Sequence, residues 1–170
     1  MLKKNIILAG FMGTGKSTLG RLLAEKLDYH FIDTDSLIED RIGQTIAELF
    51  QEQGEAAFRK LEESLAQELA QQQGLVISTG GGLVLNPNNV DALTQSGQII
   101  CLTATPAEIL ERVSTQKQIR PLLLEKDPLS KIKELLEQRL PVYSQFQQLS
   151  TTGKDPHELV TQLIELTCEA

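Results

Sequence analysis

The residues best suited to chemistry form one short run, Gly10-Phe11-Met12-Gly13-Thr14-Gly15-Lys16-Ser17. Its GxxxxGK(S/T) spacing needs glycines because the loop must turn backbone N–H groups inward around phosphate oxygens, where a Cβ would clash or forbid a positive φ. Lys16 then meets the β- and γ-phosphates of a nucleoside triphosphate, and Ser17 offers a hydroxyl to Mg²⁺. The apolar run Asn5-Ile6-Ile7-Leu8-Ala9 ahead of the loop reads as a strand. Ser17 to Leu27, with Leu19, Leu22, Leu23 and Leu27 at helical spacing, reads as the helix whose positive dipole end faces the anion. The expected nucleotide contacts are Gly13, Thr14, Gly15, Lys16, Ser17 and Thr18.

Four further groups could act beside that loop. Asp33-Thr34-Asp35 follows a short strand, Asp28 to Ile32, and two carboxylates at this spacing share one face of a strand. One would orient Mg²⁺ through water and the other would meet a substrate hydroxyl; alternatively, Asp35 or Ser36 only caps the next helix. Gly80-Gly81-Gly82 ends the strand Leu75 to Thr79, at the sheet edge where α/β proteins bind ligands. Arg59 sits on a helix with Glu55, Glu62 and Glu63 within one turn, a pattern that by itself describes a solvated face. Ser114 to Pro128 is a long polar stretch carrying Lys117 and Arg120, which suits a lid that closes over phosphates. His30 reads as a partly buried strand residue and not as a ligand.

Strands and helices alternate along the chain, which is the signature of an α/β sheet. Ser36 to Gln73 is helical with breaks at Gly43 and Gly54, and Thr45-Ile46-Ala47-Glu48 is a capping box. Three helices where a crossover needs one suggest an inserted substrate-binding unit. A helix over Asn88 to Leu93 leads to a fourth strand, Gln98 to Thr103. Thr105-Pro106-Ala107-Glu108 is a second capping box, opening a helix to about Arg112. Leu129 to Leu140 follows, with Ile132, Leu135, Leu136 and Leu140 on its inner face and Arg139 just ahead of Pro141-Val142-Tyr143. Gln147 to Ser150 is a fifth strand, and Asp155 caps a last helix that buries Leu159, Leu163 and Leu166.

A chain of 170 residues suits one domain with a sizeable core. A net charge of −7 leaves no basic face for nucleic acid. Cys101 and Cys168 have neither metal-ligand nor disulfide-scaffold spacing and fit idle thiols in a reducing cytoplasm. No apolar run is long enough to span a bilayer. Lys3-Lys4 before Ile6-Ile7-Leu8-Ala9 imitates a signal peptide, but the run breaks at Gly10 and no small-x-small cleavage site follows.

Taken in order, the loop, Asp33-Thr34-Asp35, Phe58-Arg59, Gly80-Gly81-Gly82, Arg120-Pro121-Leu122-Leu123 and Arg139 before Pro141 and Tyr143 resemble the shikimate kinases, in the nucleoside-monophosphate-kinase-like branch of P-loop proteins. The resemblance covers almost the whole chain. It implies a single three-layer P-loop kinase domain over residues 1–170, with a five-stranded parallel sheet in the order 2-3-1-4-5, a substrate-binding insertion at about 34–62 and a lid at about 114–127. It implies ATP-dependent phosphorylation of shikimate in aromatic amino-acid biosynthesis, with Mg²⁺ as cofactor; composition and patterning, with no apolar stripe left unused, suit a cytoplasmic monomer that binds neither nucleic acid nor membrane. In residue terms, Lys16, Asp35 and Arg120 would be catalytic, with Arg120 also on ATP. Ser17 and, through water, Asp33 would hold the metal. Asp35, Arg59, Gly81, Gly82 and Arg139 would bind substrate, with Phe50 and Phe58 lining the ring. One position departs from the pattern: the family's adenine-stacking arginine stands seven residues before the lid arginine, where this chain has Val113, and Arg112 stands eight before. Either the lid is one residue longer, or adenine is held differently, with help from Lys154, Asp155 and Pro156. Two other readings stay open: a gluconate-type kinase, and a nucleotide-binding module without catalysis.

Overall fold

The computed structural model describes residues 3–115 and 126–168. Strand β1 (Asn5–Gly10) is buried along its whole length, as expected for the centre of a parallel sheet covered on both faces. Around it lie β2 (His30–Asp33), β3 (Leu75–Ser78), β4 (Gly97–Thr103) and β5 (Gln147–Ser150), all parallel, in the order β2-β3-β1-β4-β5. The expected sheet order is therefore met.

The side-chain alternation of the strands sorts the core into two layers. Ile6 and Leu8 of β1 join Val76, Ile100 and Leu102 under two helices, α1 (Lys16–Leu27) and α8 (Pro156–Cys168), which contribute Leu19, Leu23, Leu159 and Leu163. Ile7 and Ala9 face the other way with Ile77, Ile99 and Cys101. That face is covered by α2 (Thr34–Ile42), α3 (Ile46–Gln53), α4 (Glu55–Leu69), α5 (Pro87–Ser96), α6 (Pro106–Ser114) and α7 (Pro128–Tyr143). Each fully buried leucine or isoleucine adds about 1.5–3 kcal/mol, so the sheet holds the strand ends in fixed register. At the opposite edge the buried Asn5 side chain accepts from Leu75 N (2.9 Å) and donates to Gln72 O (2.8 Å), locking β1 to β3.

Three helices do stand between β2 and β3, with Gly43 and Gly54 as their breaks and a complete capping box at Thr45 and Glu48. Four expectations need correction. The second strand runs to Asp33, which caps α2 by accepting from Ser36 N (3.2 Å), so Asp35 lies in the first turn of a helix and the two carboxylates do not share a strand face. His30 is exposed. At Thr105 only half of the capping box forms: Thr105 Oγ1 accepts from Glu108 N, but Thr105 N donates to Thr152 Oγ1 and Glu108 turns to Gly153 N (3.0 Å). Finally, α7 continues through Pro141 to Tyr143, and Leu140 is 57% exposed. Successive residues advance about 100° around a helix, so the stripe centred on Ile132 returns at Arg139 and Tyr143, and Leu140 falls about 80° away.

Candidate active site

The phosphate loop leaves β1 at Gly10, where φ is 131° and an added Cβ would run into Leu102 O. Gly13 (φ 73°) and Gly15 (φ 97°) also take left-handed backbone, and Gly15 is the N-cap of α1. The N-terminus of α1 therefore opens into the loop with its first N–H groups directed at the space inside. Lys16 Nζ donates to Gly10 O (2.9 Å) and Phe11 O (2.8 Å), which holds its charge across the loop. Thr14 is buried and ties the turn by donating to Phe11 O (2.7 Å), while Thr18 is exposed on the first turn of α1. Beneath the loop Cys101 is buried; burial pushes its thiol up to about 11 against the pull of Lys16, so it is no nucleophile at neutral pH.

Ser17 Oγ donates to Asp33 Oδ2 (2.7 Å) and lies 3.2 Å from Ser78 Oγ. A hydroxyl and one carboxylate side by side at the mouth of a phosphate loop fit Mg²⁺, which keeps several waters and uses few protein ligands. Among the described residues no group of three or more His, Cys, Asp or Glu forms a metal cage.

Next to the loop is a cavity of about 190 Å³ lined by Met12, Asp35, Ile46, Phe58, Arg59, Glu62, Gly80, Gly81, Gly82 and Arg139. It is smaller than drug-sized sites and suits a small polar molecule. The three glycines do more than bring backbone close. An added Cβ at Gly80 would meet Asp35 Oδ1, at Gly81 it would lie 3.1 Å from Arg139 Nη1, and at Gly82 it would lie 2.6 Å from Arg59 Nη1. Each missing side chain makes room for one charged group, from α2, α7 and α4 respectively. Gly80 N donates to Thr34 Oγ1 (2.9 Å), which pins the start of α2, and hence Asp35, to the end of β3.

Arg59 is held from both sides. Its Nη1 donates to Glu62 Oε2 (2.6 Å), while Nε and Nη2 donate to Glu55 Oε1 (3.1 and 2.7 Å). Burial pulls the Arg59 pKa down, but the Glu62 and Glu55 bonds outweigh it and the guanidinium ends above its usual value. Glu62 is only 1% exposed, and its Oε1 has no hydrogen-bond partner among the described residues. Its pKa is raised, by burial first, against the opposing pull of Arg59, with nearby Asp35 adding to the rise. Both shifts are consistent: the pair favours charge on both partners, and burial taxes the carboxylate more heavily.

On the opposite wall Arg139 Nη1 is 3.4 Å from Tyr143 Oη and 5.0 Å separates its guanidinium from the Phe11 ring centre. Tyr143 Oη donates to Gly81 O (2.7 Å), and burial raises its pKa against the Arg139 charge. Phe58 lines the cavity, whereas Phe50 backs it edge-on at 5.4 Å and stays outside the lining.

The structure thus brings Asp35, Arg59, Gly81, Gly82 and Arg139 to one cavity, and Lys16, Ser17 and Asp33 to the adjoining loop. Arg120 and Lys117 lie outside the described residues. Three residues escaped the sequence reading. Glu62 was visible only as an i+3 neighbour of Arg59, and nothing in its spacing told buried from solvated. Tyr143 belongs to the motif set after Arg139 and Pro141, but nothing in the sequence gives it a role in the site. Thr151 carried no signal at all: its Oγ1 lies 3.0 Å from Thr14 O and accepts from Arg112 Nη1 (2.9 Å), which also reaches Gly13 O (3.2 Å). Val113, at the family's arginine position, is fully buried against Gly13, so it is Arg112 that meets the loop.

A family model described as shikimate kinase matches residues 12–167 of the chain. The chain is 49% identical over 140 residues to a shikimate kinase of Caldanaerobacter subterraneus subsp. tengcongensis, covering 82% of this chain and 81% of the relative. It is 42% identical over 162 residues to one of Sulfurihydrogenibium sp., covering 95% and 96%. Among solved structures it is similar to a shikimate kinase from Acinetobacter baumannii in complex with shikimate, with a TM-score of 0.90, 34% identity, and 98% and 94% of the two chains covered.

Proposed function

As the chain belongs to the shikimate kinase family, we propose that it transfers the γ-phosphoryl group of ATP to the 3-hydroxyl of shikimate, giving shikimate 3-phosphate and ADP. The observation that carries this reading is the cavity itself: two guanidiniums, Arg59 and Arg139, converge beside the phosphate loop with the carboxylate of Asp35, while the cavity's second carboxylate, Glu62, is tied to Arg59. Forked cations suit a carboxylate, and an aspartate suits hydroxyls.

In this reading Arg59 and Arg139 grip the carboxylate of shikimate, with backbone from Gly81 and Gly82, and Asp35 meets the reacting hydroxyl. That oxygen forms the new bond to the γ-phosphorus as the bond to the β,γ-bridging oxygen breaks and ADP departs. Asp35 takes the hydroxyl proton. Gly13, Thr14, Gly15, Lys16, Ser17 and Thr18 hold the phosphates, and Lys16 balances the charge that moves onto them. Mg²⁺, held by Ser17 and through water by Asp33, would neutralise phosphate charge when bound. Arg120 is assigned to the phosphoryl group in flight, on a lid at about 114–127, and residues at about 34–62 are assigned to the substrate-binding insertion. The protein is read as a cytoplasmic monomer; no helix of the described residues is long and apolar enough to cross a membrane.

ADP release from MgATP is the test, with shikimate, gluconate and no acceptor in parallel. A large rise with shikimate alone is expected. A rise with gluconate instead, or tight ATP binding with no rise at all, would refute the assignment.

A further inference from the structure

Among the described residues of the cavity, Arg59 is the cation whose donors are already shared between two protein carboxylates, and the two differ sharply. Glu62 takes Nη1 from a buried position on the same helix, with its side chain 1% exposed. Glu55 takes the Nε and Nη2 edge with a single oxygen, and its side chain is 63% exposed. A bidentate carboxylate needs two parallel N–H bonds on one edge of the guanidinium. Three of the five N–H donors of Arg59 are engaged, so a third carboxylate that binds bidentate on the Nε and Nη2 edge must displace Glu55. Glu62 cannot leave without stranding a buried charge, whereas Glu55 returns to water.

We propose that Glu55 is a built-in rival for the substrate carboxylate: it occupies the Nε and Nη2 edge of Arg59, yields it when shikimate binds, and so sets the affinity of the site for its acid substrate. This rests on the proposed function, because it needs Arg59 to grip that carboxylate. The location of Glu55 favours the exchange. It is the first residue of α4, directly after Gly54, whose φ of 81° and ψ of 168° suit glycine and whose surroundings are open. The junction between α3 and α4 can thus let Glu55 turn away without disturbing the buried Arg59–Glu62 pair. Glu55 is a positioning residue acting through Arg59, and it takes no part in the phosphoryl transfer.

The test compares wild type, Glu55→Gln and Glu55→Asp by calorimetry with shikimate and by steady-state kinetics. Gln keeps the shape but loses the charge; Asp keeps the charge at the helix start but loses the reach. Exposed pairs of this kind are weak, so the Kd and KM for shikimate should fall about two- to fivefold in both variants, with kcat and the KM for ATP unchanged. Unchanged shikimate affinity in both, beside an active wild type, overturns the proposal alone. Weaker binding in Glu55→Gln also overturns it, since Glu55 would then support Arg59. Tighter binding in Gln but not Asp would assign the effect to helix-end charge and overturn it too. A wild type that neither binds nor phosphorylates shikimate would instead refute the proposed function, and this inference with it.

Discussion

Gly82→Ala should damage substrate binding while leaving the fold intact, and the structure sets both halves of that expectation. Gly82 has φ −99° and ψ −10°, which alanine adopts without strain. Fixing this backbone with a Cβ stabilises by about 0.4–1 kcal/mol through the unfolded chain. The new Cβ, however, would lie 2.6 Å from Arg59 Nη1, 2.9 Å from Nη2 and 3.0 Å from Cζ. Ordinary contact begins at 3.4 Å, so the guanidinium must retreat by about 0.8 Å, and a misplacement of this order can cost up to about a hundredfold. Arg59 is the end of a flexible side chain, so the retreat is cheap in stability. It disturbs the 2.6 Å bond to Glu62 and the aim of the fork; a charge-assisted bond is worth about 1.5–3 kcal/mol, or roughly ten- to hundredfold in the KM for shikimate. The KM for ATP should stay put. Gly97→Ala is the counterpart: its Cβ would collide with the backbone of Asn5, which cannot yield, so the expected loss is about 1–3 kcal/mol of stability with substrate KM unaffected. Steady-state kinetics and urea unfolding of both variants decide the matter. A Gly82→Ala enzyme with normal shikimate KM and a lowered unfolding midpoint would refute the reasoning.

In the proposed function Asp33 has two tasks that substitution can separate: it caps α2, and it would hold Mg²⁺ through water. Asn caps a helix as well as Asp does, so Asp33→Asn should keep the urea midpoint while raising the Mg²⁺ needed for half-maximal activity. Asp33→Ala should show the same Mg²⁺ defect and also lose about 0.5–2 kcal/mol; equal stability of the two, or an unchanged Mg²⁺ requirement, would contradict the assignment. Glu62 predicts a pH effect. Its folded pKa is raised above the ordinary 4.5, chiefly by burial, so the folded state holds this proton more tightly than the unfolded chain does. The resulting stability is fully present below 4.5 and is lost as pH rises through the higher folded value. Urea midpoints measured from pH 4 to 7 should therefore show a fall in wild type that Glu62→Gln flattens; parallel curves would place the proton elsewhere.

The alternation of strands and helices was legible because hydrophobic period and capping residues are local signals: the Thr45 and Glu48 box and the glycine breaks at Gly43 and Gly54 all stand where expected. Sheet order was not local, and it came from the resemblance of the motif set. The misreadings have physical causes. Asp33 both ends β2 and caps α2, and the bond from Ser36 N turns the chain into a helix before Asp35 is reached. At Thr105 the capping box competes with the loop at 151–153, whose Thr152 and Gly153 take over half of its partners. Leu140 looked inward by type, but helical phase gives its place to Arg139, which reaches the cavity because a charged residue occupies a stripe otherwise reserved for apolar ones.

That exchange explains why the site had to be read as a set. Asp35, Arg59 and Arg139 sit on three helices far apart in sequence; alone, Asp35 reads equally as a cap and Arg59 as part of a solvated face. Their convergence depends on residues with no side chain: Gly80, Gly81 and Gly82 follow β3, and each leaves the space that one of the three charges fills. Backbone freedom does not account for the run, because none of the three has a positive φ. A β-carbon at any of them would instead push a named charge out of place. The glycine run is thus a steric complement to the charged groups, and a substitution there should act on substrate before it acts on the fold.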